Sequence, residues 1–180
     1  VALAKTKPGD IALGNPIRTS IPHLAAELLG QRTGTKFQQV SFSSAAQAMQ
    51  SVMNGDVMYY VDGATPLMPH VRSGRMNALA VTAAETLPGL EGIALAKDVV
   101  RDLVVVGWFG VVATKGSPEP ALQRMNAEIN KALAHPDVVA RLRELGTYPK
   151  ISTIEETKRF FREQKALFSG VIREAKIEPE

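Results

Sequence analysis

The chain has 180 residues, 45% of them hydrophobic and 22% charged. That balance suits one globular domain or two small lobes, and excludes a disordered tail, a collagen-like chain and a coiled-coil rod. Its 21 Lys and Arg against 18 Asp and Glu leave a net charge of only +3 with no dense basic run, so no nucleic-acid partner is expected. The absence of cysteine excludes disulfides, cysteine–zinc sites and thiol nucleophiles, and no stretch approaches the ~20 apolar residues of a bilayer span.

The start, Val1-Ala2-Leu3-Ala4-Lys5, has neither an initiator Met nor a signal architecture. It reads as the middle of a helix, so the chain is expected to be processed or truncated. The first apolar run is Ile11-Ala12-Leu13. After the loop Gly14-Asn15-Pro16-Ile17-Arg18-Thr19-Ser20 come Ile21, Leu24, Ala25, Leu28 and Leu29, spaced as one helical face. Ser20 is its expected N-cap, Pro22 suits the first turn, and Gly30 is the expected stop. A second strand is expected over Phe37–Phe42. Ser43 and Ser44 then open a helix with Ala45, Ala48, Met49 and Val52 on one face, closed by Gly55. A third strand, Val57–Val61, leads through Asp62-Gly63 into a helix with Ala64, Leu67, Met68 and Val71, closed by Gly74. Pro69 inside it is expected to kink or shorten it.

A fourth run, Met76–Thr82, reads as a strand. The repeated alternation calls for a mostly parallel sheet with right-handed crossovers. Residues 83–102 have no clean period and read as a loop with one short helix. Leu103–Thr114 is a long β-rich run that could pass between lobes. The last third is helical: one helix from Ser117-Pro118-Glu119 to His135-Pro136, a second ending at Gly146, and a third opened by the capping box Thr153-Ile154-Glu155-Glu156.

In open parallel sheets, ligands bind beyond the carboxyl ends of the strands, where helices begin. The helix starts at Thr19-Ser20, Ser43-Ser44-Ala45 and Asp62-Gly63-Ala64 offer unpaired N–H groups, about half a positive charge each, and hydroxyl donors. Their natural guest is an anion with several acceptor oxygens, such as a carboxylate. Read blandly, the same serines and threonines are only helix caps. Arg18 can bind two carboxylate oxygens at once, or stand solvated on the surface. Asp62 can accept from a ligand hydroxyl or ammonium, or cap the next helix. Trp108 and Phe109, between Gly107 and Gly110, suit either a core or a cleft wall. No HxxxH or HExxH spacing, G-x-S-x-G elbow, GxGxxG fingerprint or Walker A run occurs, so no metal, cofactor or catalytic residue is expected. A Ser43, His23 and Asp62 set could be assembled in space, but almost any chain allows that.

Several segments together resemble one family. Residues 20–28, Ser-Ile-Pro-His-Leu-Ala-Ala-Glu-Leu, are similar to the S-P-H-L-A-x-E-L segment of the tripartite tricarboxylate transporter receptors, also called Bug proteins. Residues 67–82 resemble that family's P-H-I-x-x-G-K-L-R-A-L-A-V-T. Trp108-Phe109-Gly110 before Gly116-Ser117-Pro118, the 122–133 helix, and Leu145-Gly146 are similar too.

The resemblance implies an α/β fold of the periplasmic-binding-protein-like (type II) kind, with two lobes closing on a ligand. On that frame, residues 8–104 would form the ligand-binding lobe, a mostly parallel sheet flanked by helices. Residues 105–180 would supply a crossing strand and the C-terminal helices of a second, incomplete lobe. It implies a periplasmic receptor, without catalysis, that delivers a small di- or tricarboxylate, acidic amino acid or related acid to membrane permease subunits. It places ligand contacts on the loops at Arg18–Ser20, Ser43–Ala45 and Asp62–Ala64. Arg18 stands where a small residue is usual, and Ser43-Ser44 replaces Lys-Gly. The family's N-terminal part is not present before Val1. Apolar surface is therefore expected over the C-terminal helices, covered by a partner chain or in a homodimer. Two other classes fit the residues: the effector domain of a transcription regulator, and a small hydrolase.

Overall fold

Three short apolar runs pair where the sequence places strands. The computed structural model describes residues 1–15 and 17–178; Pro16 of the first predicted loop and the last two residues of the 105–180 segment lie outside them. A short helix α1 (Ala2–Thr6) comes first. Then β1 (Ala12–Asn15), β2 (Gln38–Ser41) and β3 (Tyr59–Tyr60) form one parallel sheet in the order β2-β1-β3. β1 is central, and Leu13, Gly14 and Asn15 are all buried. Such unbroken burial marks a strand covered on both faces.

Parallel neighbours need crossovers, and helices α2 (Ile21–Thr33) and α3 (Ala45–Asn54) supply them. β2 and β3 flank β1 on opposite sides, so right-handed crossovers place α2 and α3 on opposite faces. α3 packs on β1 and β3. Leu24, Ala25, Ala26 and Leu28 of α2 and Ala48 of α3 join Leu13 in the core. Each fully buried leucine contributes about 1.5–3 kcal/mol. Gly14 is closely packed: an added Cβ would lie 3.3 Å from the Phe42 ring and 3.4 Å from a Val57 methyl, so the ring would have to shift slightly.

The expected stop at Gly30 is corrected. α2 runs on to Thr33 and closes at Gly34, whose φ of 63° is left-handed and whose N–H donates to the Gly30 carbonyl. Gly30 is small for another reason, since a Cβ there would sit 3.1 Å from the Thr35 carbonyl oxygen. α3 ends as expected at Gly55. Helix α4 (Ala64–Arg72) contains Pro69 and continues past it for three residues, with Gly74 beyond its end at φ 73°.

Two expected strands do not form. In Met76–Thr82 only Val81 makes a bridge, parallel to Leu95. Its N–H donates to the Ala94 carbonyl and its own carbonyl accepts from Ala96, both at 2.8 Å. Leu79 in the same run is exposed. Leu103–Thr114 has no ladder either, although Val105 N–H donates to the Thr82 carbonyl at 2.9 Å and Thr82 Oγ1 returns a bond to the Val105 carbonyl at 2.6 Å. β-rich composition makes a strand only where another strand offers its N–H and C=O row. Among the described residues, each run makes only these isolated bonds and meets no continuous strand. Between them a short 3-10 turn, Ala96–Asp98, is the one helical piece expected there.

Helices α5 (Glu119–Leu133), α6 (Pro136–Glu144) and α7 (Ile154–Glu174) complete the chain. The capping box before α7 is formed: Thr153 N–H donates to Glu156 Oε2 at 2.8 Å and Glu156 N–H donates to Thr153 Oγ1 at 3.2 Å. Asn126 and Asn130 of α5 donate to the Ser152 carbonyl at 3.1 and 2.9 Å, holding the approach to α7. The chain divides into two compact units, Val1–Gly107 with the end of α7 from Gly170, and Trp108–Ser169. No described helix is long and apolar enough to cross a membrane.

Candidate functional site

The strand register sets the site's edge. Asn15 pairs with Ser41, and Gly14 with Tyr60, so all three strands end level. The loops that follow, Arg18–Ser20, Ser43-Ser44 and Asp62-Gly63, therefore leave from one edge of the sheet. In the order β2-β1-β3, the chain turns to opposite faces after β1 and β2, and a ligand site in such a sheet lies beyond the strand ends from which these loops leave.

Each loop is built by its own short-range chemistry. Ser20 caps α2, its Oγ accepting from His23 N–H at 3.4 Å and donating to the Ile17 carbonyl at 2.7 Å. Thr19 holds φ at 63°, a left-handed conformation that costs a side-chain-bearing residue about 1–2 kcal/mol. Its N–H donates to His23 Nδ1 at 3.0 Å, and its Oγ1 to the Arg18 carbonyl at 2.6 Å. Ser44 caps α3 by accepting from Gln47 N–H at 3.3 Å, while Ser43 Oγ donates to Gln47 Oε1 at 2.5 Å. Helix geometry leaves the amides of Ala45 and Ala46 without an intrahelical acceptor.

Asp62 links two of the loops. Its Oδ1 accepts from Gly63 N–H at 2.7 Å and its Oδ2 from the Tyr60 hydroxyl at 2.5 Å. That hydroxyl also lies 3.4 Å from the Ala45 carbonyl at the start of α3. Burial, then the bond to Asp62 and its charge, push the Tyr60 phenol well above the usual range, so it stays a donor. The cap of α4 is Gly63 itself, without a side-chain bond.

A cavity of about 260 Å³ opens beside the ends of β1 and β2. Asn15 and His23, both over nine-tenths buried, line it with Arg18, Gln39 and Lys176. Of the residues chosen from sequence, Arg18 alone reaches it. Asn15 Nδ2 donates to Gln39 Oε1, whose Nε2 donates to Glu27 at 2.9 Å, and Glu27 lies 3.5 Å from His23 Nε2. Arg18 and Lys176 thus face a single carboxylate that is already engaged. That excess of positive charge suits an anion.

The sequence does not single out Asn15, Tyr60 or Lys176 for binding, and it offers His23 only in a set with Ser43 and Asp62 that almost any chain allows. His23 looked like one more helical residue, yet its four-residue spacing from Thr19 and Glu27 was a usable signal. Lys176 had none, because α7 brings it back from the far end of the chain. Trp108 belongs to the second unit, where it meets Phe160 edge-on at 5.7 Å and Phe161 at 5.0 Å. Gly110 touches the same cluster: a Cβ there would be 2.8 Å from the Phe161 ring. Phe109, in that unit too, is 92% exposed. No group of three metal-ligating side chains occurs among the described residues.

The model of the tripartite tricarboxylate transporter family receptor matches residues 1–177. The chain belongs to this receptor family. The family is one of transport receptors rather than enzymes, which counts against the hydrolase reading. The chain is 27% identical over 175 residues to Protein BugT of Bordetella pertussis, covering 97% of this chain and 54% of that one. In fold it matches R. palustris Rpa4515 with adipate at a TM-score of 0.83 and 24% identity, over 99% of this chain and 60% of that chain. It also matches MatC (Rpa3494) from Rhodopseudomonas palustris with bound malate, at 0.72 and 23%, over 95% and 60%. These likenesses give the chain the α/β fold of those two structures. The chain spans about half the length of curated relatives such as Protein BugT.

Proposed function

We propose that this receptor chain binds a small organic acid at the carboxyl edge of its parallel sheet, as part of an extracytoplasmic solute receptor of a tripartite tricarboxylate-type transporter. The observation that carries the reading is the level ending of three strands, with the Arg18–Ser20, Ser43–Ala45 and Asp62–Ala64 loops leaving one edge. Adipate and malate, which the two structurally similar proteins hold, are acids of this kind. The binding chemistry is oriented donation to carboxylate oxygens. Hydrogen bonds to a charged group contribute about 1.5–3 kcal/mol each. A few of them in a closed cleft reach the roughly −8 kcal/mol of micromolar binding without metal or nucleophile. In the cell the receptor works in the periplasm and hands its acid to the membrane permease subunits. A second copy covers the exposed apolar run of residues 106–112, giving a homodimer.

Titration calorimetry of the purified protein with adipate, malate, citrate and glutamate tests the reading. Saturable binding of at least one acid, weakened by Arg18→Ala, is the expected result. Absence of heat across the panel overturns it.

A further inference from the structure

We propose that His23 is the positioning residue of the site, holding Thr19 left-handed and thereby placing Arg18 at the cavity; the link to binding rests on the carboxylate reading above. A non-glycine residue stays at positive φ only when its surroundings hold it there. Thr19 has φ 63°, and its N–H points at His23 Nδ1, 3.0 Å away. An N–H can point only at an unprotonated ring nitrogen, so the imidazole proton sits on Nε2. Nε2 in turn faces Glu27 Oε1 at 3.5 Å.

Glu27 does not float. It accepts from Gln39 on β2, and Gln39 accepts from Asn15 at the end of β1. The imidazole is therefore held between Glu27, which β2 and β1 anchor through Gln39 and Asn15, and the loop it supports. His23 is 6% exposed and Asn15 3%, so both ends of this chain of bonds are buried, while Gln39 and Thr19 between and beyond them are exposed. Arg18, the residue before Thr19, lines the same cavity. Flipping Thr19 to an ordinary conformation would redirect the chain at Arg18. His23 touches no ligand in this scheme; it acts through Thr19.

Two readouts decide the matter without any ligand. In the free protein, imidazole nitrogen NMR shifts should report His23 as the Nε2–H tautomer, and the Thr19 amide-to-Hα coupling should report positive φ. His23→Ala should release Thr19 from that conformation. His23→Asn should keep it, because the Asn carbonyl oxygen can replace Nδ1 as acceptor. A proton on Nδ1, or a Thr19 unmoved by His23→Ala, overturns the proposal. Should His23→Ala fail to fold, the wild-type tautomer and the Asn variant still decide.

Adipate binding then tests the consequence. His23→Ala should weaken it about tenfold, and His23→Asn by less than about threefold. In a Thr19→Gly background the alanine change should cost less than about threefold, since glycine takes positive φ unaided. A merely structural histidine would not be rescued in this way, so an equal loss in both backgrounds also overturns the proposal. If the wild type binds none of the acids in the panel, the functional reading falls, while the tautomer and coupling results still judge His23.

Discussion

Arg18 stands on an exposed loop and yet lines the cavity, so its roles in stability and in binding separate cleanly. Arg18→Ala should lower acid affinity about tenfold or more, the loss of one or two charged bonds, and leave the thermal midpoint unchanged. Calorimetry and a melting curve on the same sample check both halves. Tyr60 is the opposite case, a buried donor that ties Asp62 to the start of α3. Its phenol is raised above the ordinary 10.0, so folding favours the neutral form. The sign follows: this stabilisation is whole below about pH 10 and fades above it, as the unfolded chain ionises and the folded one does not. Tyr59 is raised as well, by burial, and adds to the same alkaline loss. In Tyr60→Phe, stability at neutral pH should fall by about 1 kcal/mol, and its further decline above pH 10.0 should be shallower than in the wild type. Urea unfolding at several alkaline pH values reads both. Arg18 was visible in the sequence because a guanidinium beside a helix start has an obvious partner. Tyr60 was not, because nothing in a strand-like Val-Met-Tyr-Tyr-Val run tells which tyrosine turns inward.

Helices were more legible than strands at the level of elements, and the reason is physical. A helix closes its own hydrogen bonds, so caps and spacing suffice: Ser20, Ser44 and Thr153 all cap where the pattern placed them. A strand depends on a partner remote in sequence. β1, β2 and β3 found theirs, whereas Met76–Thr82 and Leu103–Thr114 have the composition without the neighbour. Gly30 misled for a related reason, since its small size serves a contact with Thr35 and not a helix end. The caps also carry a measurable load. Ser44→Ala should cost about 1 kcal/mol in chemical denaturation, the usual price of an N-cap. The first turn of α3 should then exchange its amide hydrogens faster, leaving the Arg18 loop on α2 unaffected. A loss shared equally by both helix starts would mean that the two loops are one cooperative structure.

At the scale of the whole molecule, the apolar run of residues 106–112 pairs with no strand among the described residues. Phe109, Val111 and Val112 are 92%, 71% and 77% exposed. α5 and α6 contain no fully buried residue, and Met125 and Ile151 are also exposed. An extended segment with open N–H and C=O groups is a template for strand pairing, and its apolar side chains favour covering it. Residues 106–112 should therefore make the protein associate as concentration rises, in sedimentation velocity. Val112→Lys should shift the population to monomer by putting a charge on the covered face. Val111→Pro should do so by removing one backbone donor from any ladder. The two variants separate the causes: apolar burial without a ladder would respond to the lysine and tolerate the proline. If the wild type stays monomeric at every concentration, no second copy covers the run. Acid binding is to be measured on each species, because a cleft completed by pairing would lose affinity along with the dimer, whereas the sheet-edge loops of the first unit alone would not.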